Sequence, residues 1–297
     1  MFRRQTRGLF EDSPYRRIEG LDFPHDVSFA PSGNSETLAI AERRGVISIW
    51  EMNRADDNYG SNSVFEISGP QTELNFSDGI TFVPPNNNYI AAANFATSAI
   101  TFYRRISFAP MRFRLKPDFV LKAPGISGPD GIAFSACGRW LAVANHADHS
   151  ASVFERRDVP LGGALEYGPQ PVTVIRDPGL RHPHSIAFSP QTNHLVVTSS
   201  GANHLSIFAP DREAGGWNRS AQTEETFCPA QMFAEINGLN KMEGGPKGVA
   251  IHEDRLAVCS PEQGAKIYSF RERVSAADHP FYVTSKFTPC ASGRSSP

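Results

Sequence analysis

The chain is poor in cysteine: four in 297 residues, at 137, 228, 259 and 290, too far apart for a C-x-x-C pair. They give no disulfide framework to read, and Cys259 stands where the other repeats described below carry Ala or Thr, as a small core residue would. Long apolar runs are missing too, and none approaches the length of a membrane span. The first residues, MFRRQTRGLFEDSPYRR, lack the apolar stretch of a secretory signal. A soluble, cytoplasmic protein with no membrane contact is the expectation. An excess of one charge is absent: 29 Lys and Arg face 31 Asp and Glu, a net charge of −2, and the pI is about 6.5. A nucleic-acid partner is therefore not expected. Arg3, Arg4 and Arg7 lie at the terminus, where a solvated tail is the simple reading.

Helical periodicity is absent as well. No segment sustains an apolar stripe at i, i+3, i+4 and i+7, and Gly or Pro interrupts every candidate. There is no G-x-S-x-G elbow, P-loop, H-E-x-x-H, or G-x-G-x-x-G after a strand. Serine-triad hydrolysis, phosphoryl transfer and dinucleotide chemistry lack support.

What is there is a five-fold repeat. PHDVSFAP (24–31), SDGITFVP (77–84), PDGIAFSA (129–136), PHSIAFSP (183–190) and PKGVAIHE (246–253) align directly. Each precedes a second apolar run, LAIAE (38–42), IAAAN (90–94), LAVAN (141–145), LVVTS (195–199) and LAVCS (256–260). A third follows: VISIW (46–50), AITFY (99–103), ASVFE (151–155), LSIFA (205–209) and KIYSF (266–270). The second residues of the first motif are 53, 52, 54 and 63 positions apart, the last gap holding an insertion of roughly ten residues within 211–245. The repeats begin near 23, 75, 127, 181 and 244.

Period-two alternation, as in Val27-Ser28-Phe29, marks half-buried strands. The continuous second runs mark strands covered on both faces. An outer fourth strand is expected in SVFEIS (63–68), DFVLKA (118–123), PVTVIR (171–176) and QMFAEI (231–236). Four-stranded antiparallel sheets stacked about an axis make an all-β propeller in one domain, 1–297. Five blades are favoured. Six remain open, because SPYRRIEG (13–20) and HPFYVTSKF (279–287) are left over as terminal strands that would close the ring. Two columns, Phe29, Phe82, Phe134, Phe188, Ile251 and Trp50, Phe102, Phe154, Phe208, Phe270, are expected between blades as core. The insertion at 211–245 is expected to be an extended loop over one channel mouth.

The segments PDGIAF…GRWLAVAN…SVFE (129–155) and PHSIAFSP…LVVTS…LSIF (183–208) resemble NHL and YVTN-type propeller repeats. They also resemble blades of the lactonase and gluconolactonase group, the senescence-marker-protein-like propellers. In that group the Asn or Asp of P-N-G or P-D-G turns binds a catalytic metal. The resemblance carries this role to Asp130 in PDG and Asp78 in SDG. His25 and His184 hold the same repeat position with a different residue type, Lys247 would oppose a cation, and the group's N-terminal metal-binding Glu has no clear counterpart.

Blade symmetry brings the entries to the first strands, His25, Asp78, Asp130, His184 and Lys247, to one mouth of the channel. The ends of the second strands, Glu42, Asn94, Asn145, Ser199 and Ser260, lie close by, with Arg43 and His146 on adjoining loops. His nitrogen and carboxylate oxygen suit a divalent metal, so His25, Asp78, Asp130 and His184 are candidate ligands. The same groups suit a metal-free acid–base set. Lys247 and Glu42 are candidate catalytic residues. Asn94, Asn145, His146, Ser199 and Arg43 are candidate substrate contacts. Against this, an Asp before Gly at a strand entry often serves only as a turn cap. H-A-D-H (146–149) on a loop reads most simply as solvated.

Two function classes follow. One is a metal-assisted, lactonase-like hydrolase acting on a small polar metabolite, with one divalent ion. The other is a non-catalytic propeller scaffold that presents loops to a protein partner.

Overall fold

The structure, a computed structural model, describes residues 17–32, 35–53, 58–157, 165–200, 202, 204–210, 217, 223–227, 244–253, 255–262, 264–269, 271–272 and 281–282. Its strands form a five-bladed β-propeller. Blade 1 is Pro24–Ser32, Ser35–Glu42 and Val46–Asn53, with outer pieces Asn58–Tyr59 and Phe65–Ile67. Blade 2 is Ser77–Phe82, Tyr89–Asn94 and Ala99–Phe108, edged by Phe119–Leu121 and Met111–Phe113. Blade 3 is Pro129–Phe134, Trp140–Asn145, Ser150–Glu155 and Thr173–Ile175. Blade 4 is Pro183–Phe188, Leu195–Ser199, Leu205–Phe208 and Thr223–Phe227. Blade 5 shows Gly248–His252, Arg255–Ser260 and Gly264–Ser269. Arg271–Glu272 pairs with Phe281–Tyr282 beyond it.

The alternation dictates the packing. Ile132 and Phe134 of blade 3 point at Ile100 and Phe102 of blade 2. Ile80 and Phe82 meet Ala39, Ala41, Ile47 and Ile49 of blade 1, and Ile186 and Phe188 meet Ala142 and Val153 of blade 3. Val249 and Ile251 lean on Val196 and Ile207 of blade 4. Phe102, Phe154 and Phe208 are fully buried, each contributing roughly 2–3 kcal/mol by leaving water.

The aromatic column fails at one place. Phe29 is 50% exposed and Val27 equally so. Among the described residues, nothing plays for blade 1 the part that blade 1 plays for Phe82. Instead Ile18 and Leu21 cover the outer portion of that face, against Leu38, Ile40, Trp50, Met52 and Tyr59. Phe270 lies outside the described residues, as do the outer strand expected at 231–236 and most of the expected loop at 211–245. Blade 4's described outer strand is Thr223–Phe227, within that insertion. Of 13–20, residues 17–20 are described and form no strand.

Two backbone features shape the mouth. In blades 1 to 4 the pairing of first and second strands shifts register at the entry, between Pro24 and Asp26, Ser77 and Ile80, Pro129 and Ile132, and Pro183 and Ile186. An extra residue at such a bulge re-aims its side chain, and His25, Asp78, Asp130 and His184 occupy these bulges. Neighbouring first strands also come close. A Cβ on Gly79 would lie 2.2 Å from the Asp130 carbonyl oxygen, and one on Gly131 would lie 2.5 Å from that of His184. Only glycine permits this approach.

Candidate functional site at the channel mouth

Five blades deliver one side chain each to the mouth, and the five meet in a chain of contacts. Asp130, 4% exposed, and His184, 5% exposed, are joined by a contact of 2.7 Å from Asp130 Oδ2 to His184 Nδ1. The other ring nitrogen, Nε2, lies 2.8 Å from Lys247 Nζ. An ammonium has only hydrogens to give, so Nε2 accepts and the ring proton sits on Nδ1, donating to Asp130. Asp130, His184 and Lys247 thus form a hydrogen-bonded line across blades 3, 4 and 5.

His25 is held similarly from the other side. Its Nδ1 lies 3.0 Å from the carbonyl oxygen of Asp78, and its Nε2 lies 2.9 Å from Arg43 Nη2. Arg43 Nε donates to Asp78 Oδ1 at 2.6 Å and Nη2 to Oδ2 at 3.3 Å, and its guanidinium covers the Phe76 ring. His25 Nδ1 stands 3.8 Å from Asp130 Oδ1, and the rings of His25 and His184 stack at 6.0 Å. His146, buried and not solvated, places Nδ1 3.7 Å from Asp130 Oδ2 and its ring edge-on to His184.

Burial pushes the Asp130 carboxyl up to about 8, with Asp78 adding to the rise and His25 opposing it. Loss of hydration outweighs the nearby cations because the carboxylate has little water left to stabilise its charge.

One member of the cluster was invisible to the repeat alignment. Asp26 stands where the other blades carry Gly79, Gly131, Ser185 and Gly248. Its Oδ1 accepts from the Val27 amide and its Oδ2 from the Ile80 amide of blade 2, both at 2.8 Å. Asp26 is only partly covered at its surface, yet the protein around it displaces enough solvent to raise it to about 7 against those two bonds. The available signal was a lone carboxylate in a glycine column.

Other sequence candidates do different work. Asn94 and Asn145 are fully buried. Asn94 accepts from the Asn75 amide and Ser77 hydroxyl and donates to Thr101 Oγ1. Asn145 accepts from the Ser127 amide and donates to the Gly125 carbonyl, Ser150 and Ser152. These amides lock the entry loops. Glu42 Oε2 accepts from the Asp22 amide at 2.7 Å. Ser199 is buried, its hydroxyl without a hydrogen-bond partner among the described residues.

His25, Asp130 and His184 offer donor atoms within 4.8 Å of one another and could hold a metal ion. Two donors on opposite sides of one divalent ion lie about 4.0–5.2 Å apart, so the triad fits with small movement. Asp78 is tied up by Arg43 and is not in the triad. The fit has a cost: Arg43 and Lys247 already face the two Nε2 atoms, so an ion using those lone pairs must displace both cations.

No family model and no curated protein matches the chain. Solved structures do match its fold. One is a proposed 6-phosphogluconolactonase from Bacteroides fragilis NCTC 9343, with TM-score 0.58, 17% identity, and cover of 87% of this chain and 68% of that one. A functionally unknown protein from Desulfotomaculum acetoxidans DSM 771 gives TM-score 0.55, 13% identity and cover of 83% and 68%. Kuenenia stuttgartiensis hydrazine synthase gives 0.53, 15%, and 92% and 68%. At these identities the likeness shows the fold alone. Its hosts carry different names, so chemistry must be argued from the mouth.

Proposed function

We propose that the channel mouth binds a small polar metabolite with an activated carbonyl and hydrolyses it in the manner of a lactonase. The observation that carries this reading is the Asp130–His184–Lys247 line, a carboxyl, an oriented imidazole and an ammonium in hydrogen-bond contact. The resemblance of its repeats to lactonase-type blades suggests the substrate class, and the name of one fold neighbour agrees with it.

A carbonyl oxygen entering the mouth replaces Nε2 as the acceptor for Lys247. The freed Nε2 takes a proton from water as the water oxygen bonds to the carbonyl carbon. Lys247 stabilises the resulting oxyanion, and Asp130 holds the imidazolium that forms. Collapse breaks the ring C–O bond, and His184 returns its proton to the leaving oxygen, giving a hydroxy acid. Arg43, anchored on Asp78, orients the substrate's polar groups. A divalent ion on His25, Asp130 and His184 would take the His184 lone pair this route uses, so it would serve a different route, in which the ion supplies Lewis-acid polarisation of the carbonyl.

The test is a panel of sugar-acid lactones, with acid release followed by a pH indicator and metal content measured on the purified protein. His184→Gln and Lys247→Met should each lower turnover by about 10²-fold or more while melting near the wild type. Failure to hydrolyse any lactone, in a metal-free protein, would leave the scaffold reading.

A further inference from the structure

The third strand of blade 2 leads away from the mouth. Ala99 pairs with Asn94 at the mouth end, and Arg104 pairs with Tyr89 at the far end. The strand continues to Phe108, turns at Ala109 and Pro110, and returns as Met111–Phe113. This hairpin is anchored: Met111 and Phe113 are buried in the core between blades 1 and 2, and the Met111 amide donates to Glu51 Oε1 at 2.6 Å.

Its outer side pairs exposed apolar side chains with a run of cations. Ile106 is 60% exposed and Phe108 66% exposed, and Leu115 follows nearby. Residues 103–116 hold Arg104, Arg105, Arg112, Arg114 and Lys116, and no Asp or Glu. Arg105 is held by Asn88 and lies over the Phe108 ring at 3.7 Å, while Arg114 pairs with Asp118. Arg104, Arg112 and Lys116 are exposed, with no ion pair among the described residues.

We propose that this hairpin docks on an anionic phospholipid surface. Ile106 and Phe108 enter the headgroup boundary, and Arg104, Arg112 and Lys116 meet the lipid phosphates. Apolar tips ringed by unneutralised cations match an interface that is apolar inside and negative outside. Nucleic acid fits less well. Ile106 has no ring to stack, and one face of Phe108 is covered by Arg105, whereas single strands need free aromatic faces. The expectation of no membrane contact rested on the length of apolar runs. Here the apolar pair alternates with Ser107, and run length does not register it. Docking at the far end of blade 2 leaves the mouth facing solvent.

The experiment is sedimentation of the full chain with vesicles of phosphatidylcholine alone, or of phosphatidylserine and phosphatidylcholine in equal parts. The protein should pellet with the mixed vesicles and stay in solution with the neutral ones. Each of Arg104→Gln, Arg112→Gln and Lys116→Gln should weaken partitioning about fivefold. The pair Ile106→Ser and Phe108→Ser should weaken it by more than about tenfold. These side chains are exposed, so melting should not change. Phe108→Trp adds a readout that does not depend on loss, since its emission should shift to the blue on mixed vesicles. A wild type that stays in solution with mixed vesicles overturns the proposal, as does pelleting indifferent to the Ile106 and Phe108 changes. Retention on duplex DNA with failure on vesicles would assign the face to nucleic acid instead.

Discussion

Replacing Gly131 by Ala asks whether backbone contact between first strands sets the geometry of the mouth. The added Cβ would stand 2.5 Å from the His184 carbonyl oxygen, 2.8 Å from Ser185 Cα and 3.1 Å from the Ile186 nitrogen. Comfortable contacts begin near 3.5 Å, so blades 3 and 4 must part locally by about 1 Å. All three obstacles are backbone, and no rotamer change relieves them. A shift of that size carries Asp130 Oδ2 and His184 Nδ1 from 2.7 Å to beyond the roughly 3.2 Å limit of a good hydrogen bond. Overpacking of this kind costs about 1–3 kcal/mol. In a chain of this size that lowers Tm by roughly 2–5 °C. Thermal melts followed by circular dichroism read the stability, and nitrogen NMR of the histidines reads the His184 bond. Gly264→Ala is the control, since its Cβ would meet nothing within 4 Å and only its φ of +68° is strained. A Gly131→Ala protein that melts within a degree of wild type with an unaltered His184 signal would refute the reasoning.

Three further outcomes are expected. Asn145→Ala removes the side chain that joins Ser127, Gly125, Ser150 and Ser152, and should cost about 2–4 kcal/mol in denaturant titrations; a loss under 1 kcal/mol would mean water replaces it. Asp130 and Asp26 are raised to about 8 and about 7 from 3.8, so the folded state holds protons that the unfolded chain releases. Their contribution is greatest below about pH 4 and declines as pH rises toward 8; Tm of Asp130→Asn, measured from pH 5 to 8, should fall less than that of the wild type. Lys247→Met removes a cation from His184 Nε2 and should tighten binding of Mn²⁺ or Zn²⁺ by at least about tenfold in calorimetry. Unchanged affinity would show that this nitrogen is not a ligand.

The fold was legible because burial imposes period two on every repeat. Phe82, Phe134 and Phe188 read as core between blades and are buried. Phe29 was misread because alternation reveals a face, not whether a neighbour covers it. Blade 4's outer strand, TEETF at 223–227, carries too little apolar content to register; it forms because the edge of Leu205–Phe208 offers a row of amides and carbonyls to pair. At the mouth, the column of second residues pointed to His25, Asp130, His184 and Lys247 together. It did not separate Asp78, drawn aside by Arg43, from the others. Nor did it show that Asn94 and Asn145 face loops. A hydrogen-bond partner depends on loop paths with no fixed spacing, and one sequence does not encode them visibly. Asp26 escaped because its column is read as glycine, where the physical content is the gap between blades.

The bulge at the strand entries of blades 1 to 4 separates two jobs, holding the backbone and presenting a side chain. The backbone there is fixed by packing two and four positions further on, as by Ile132 and Phe134 after Asp130, while the bulged side chain turns to the mouth. The mouth is consequently a word of five letters, His25, Asp78, Asp130, His184 and Lys247, in which each letter can be exchanged without rewriting the page. Randomising those five codons should give a library in which most members fold and differ chiefly in what they bind. One scaffold would then sample acidic, basic and metal-binding mouths within a single round of selection.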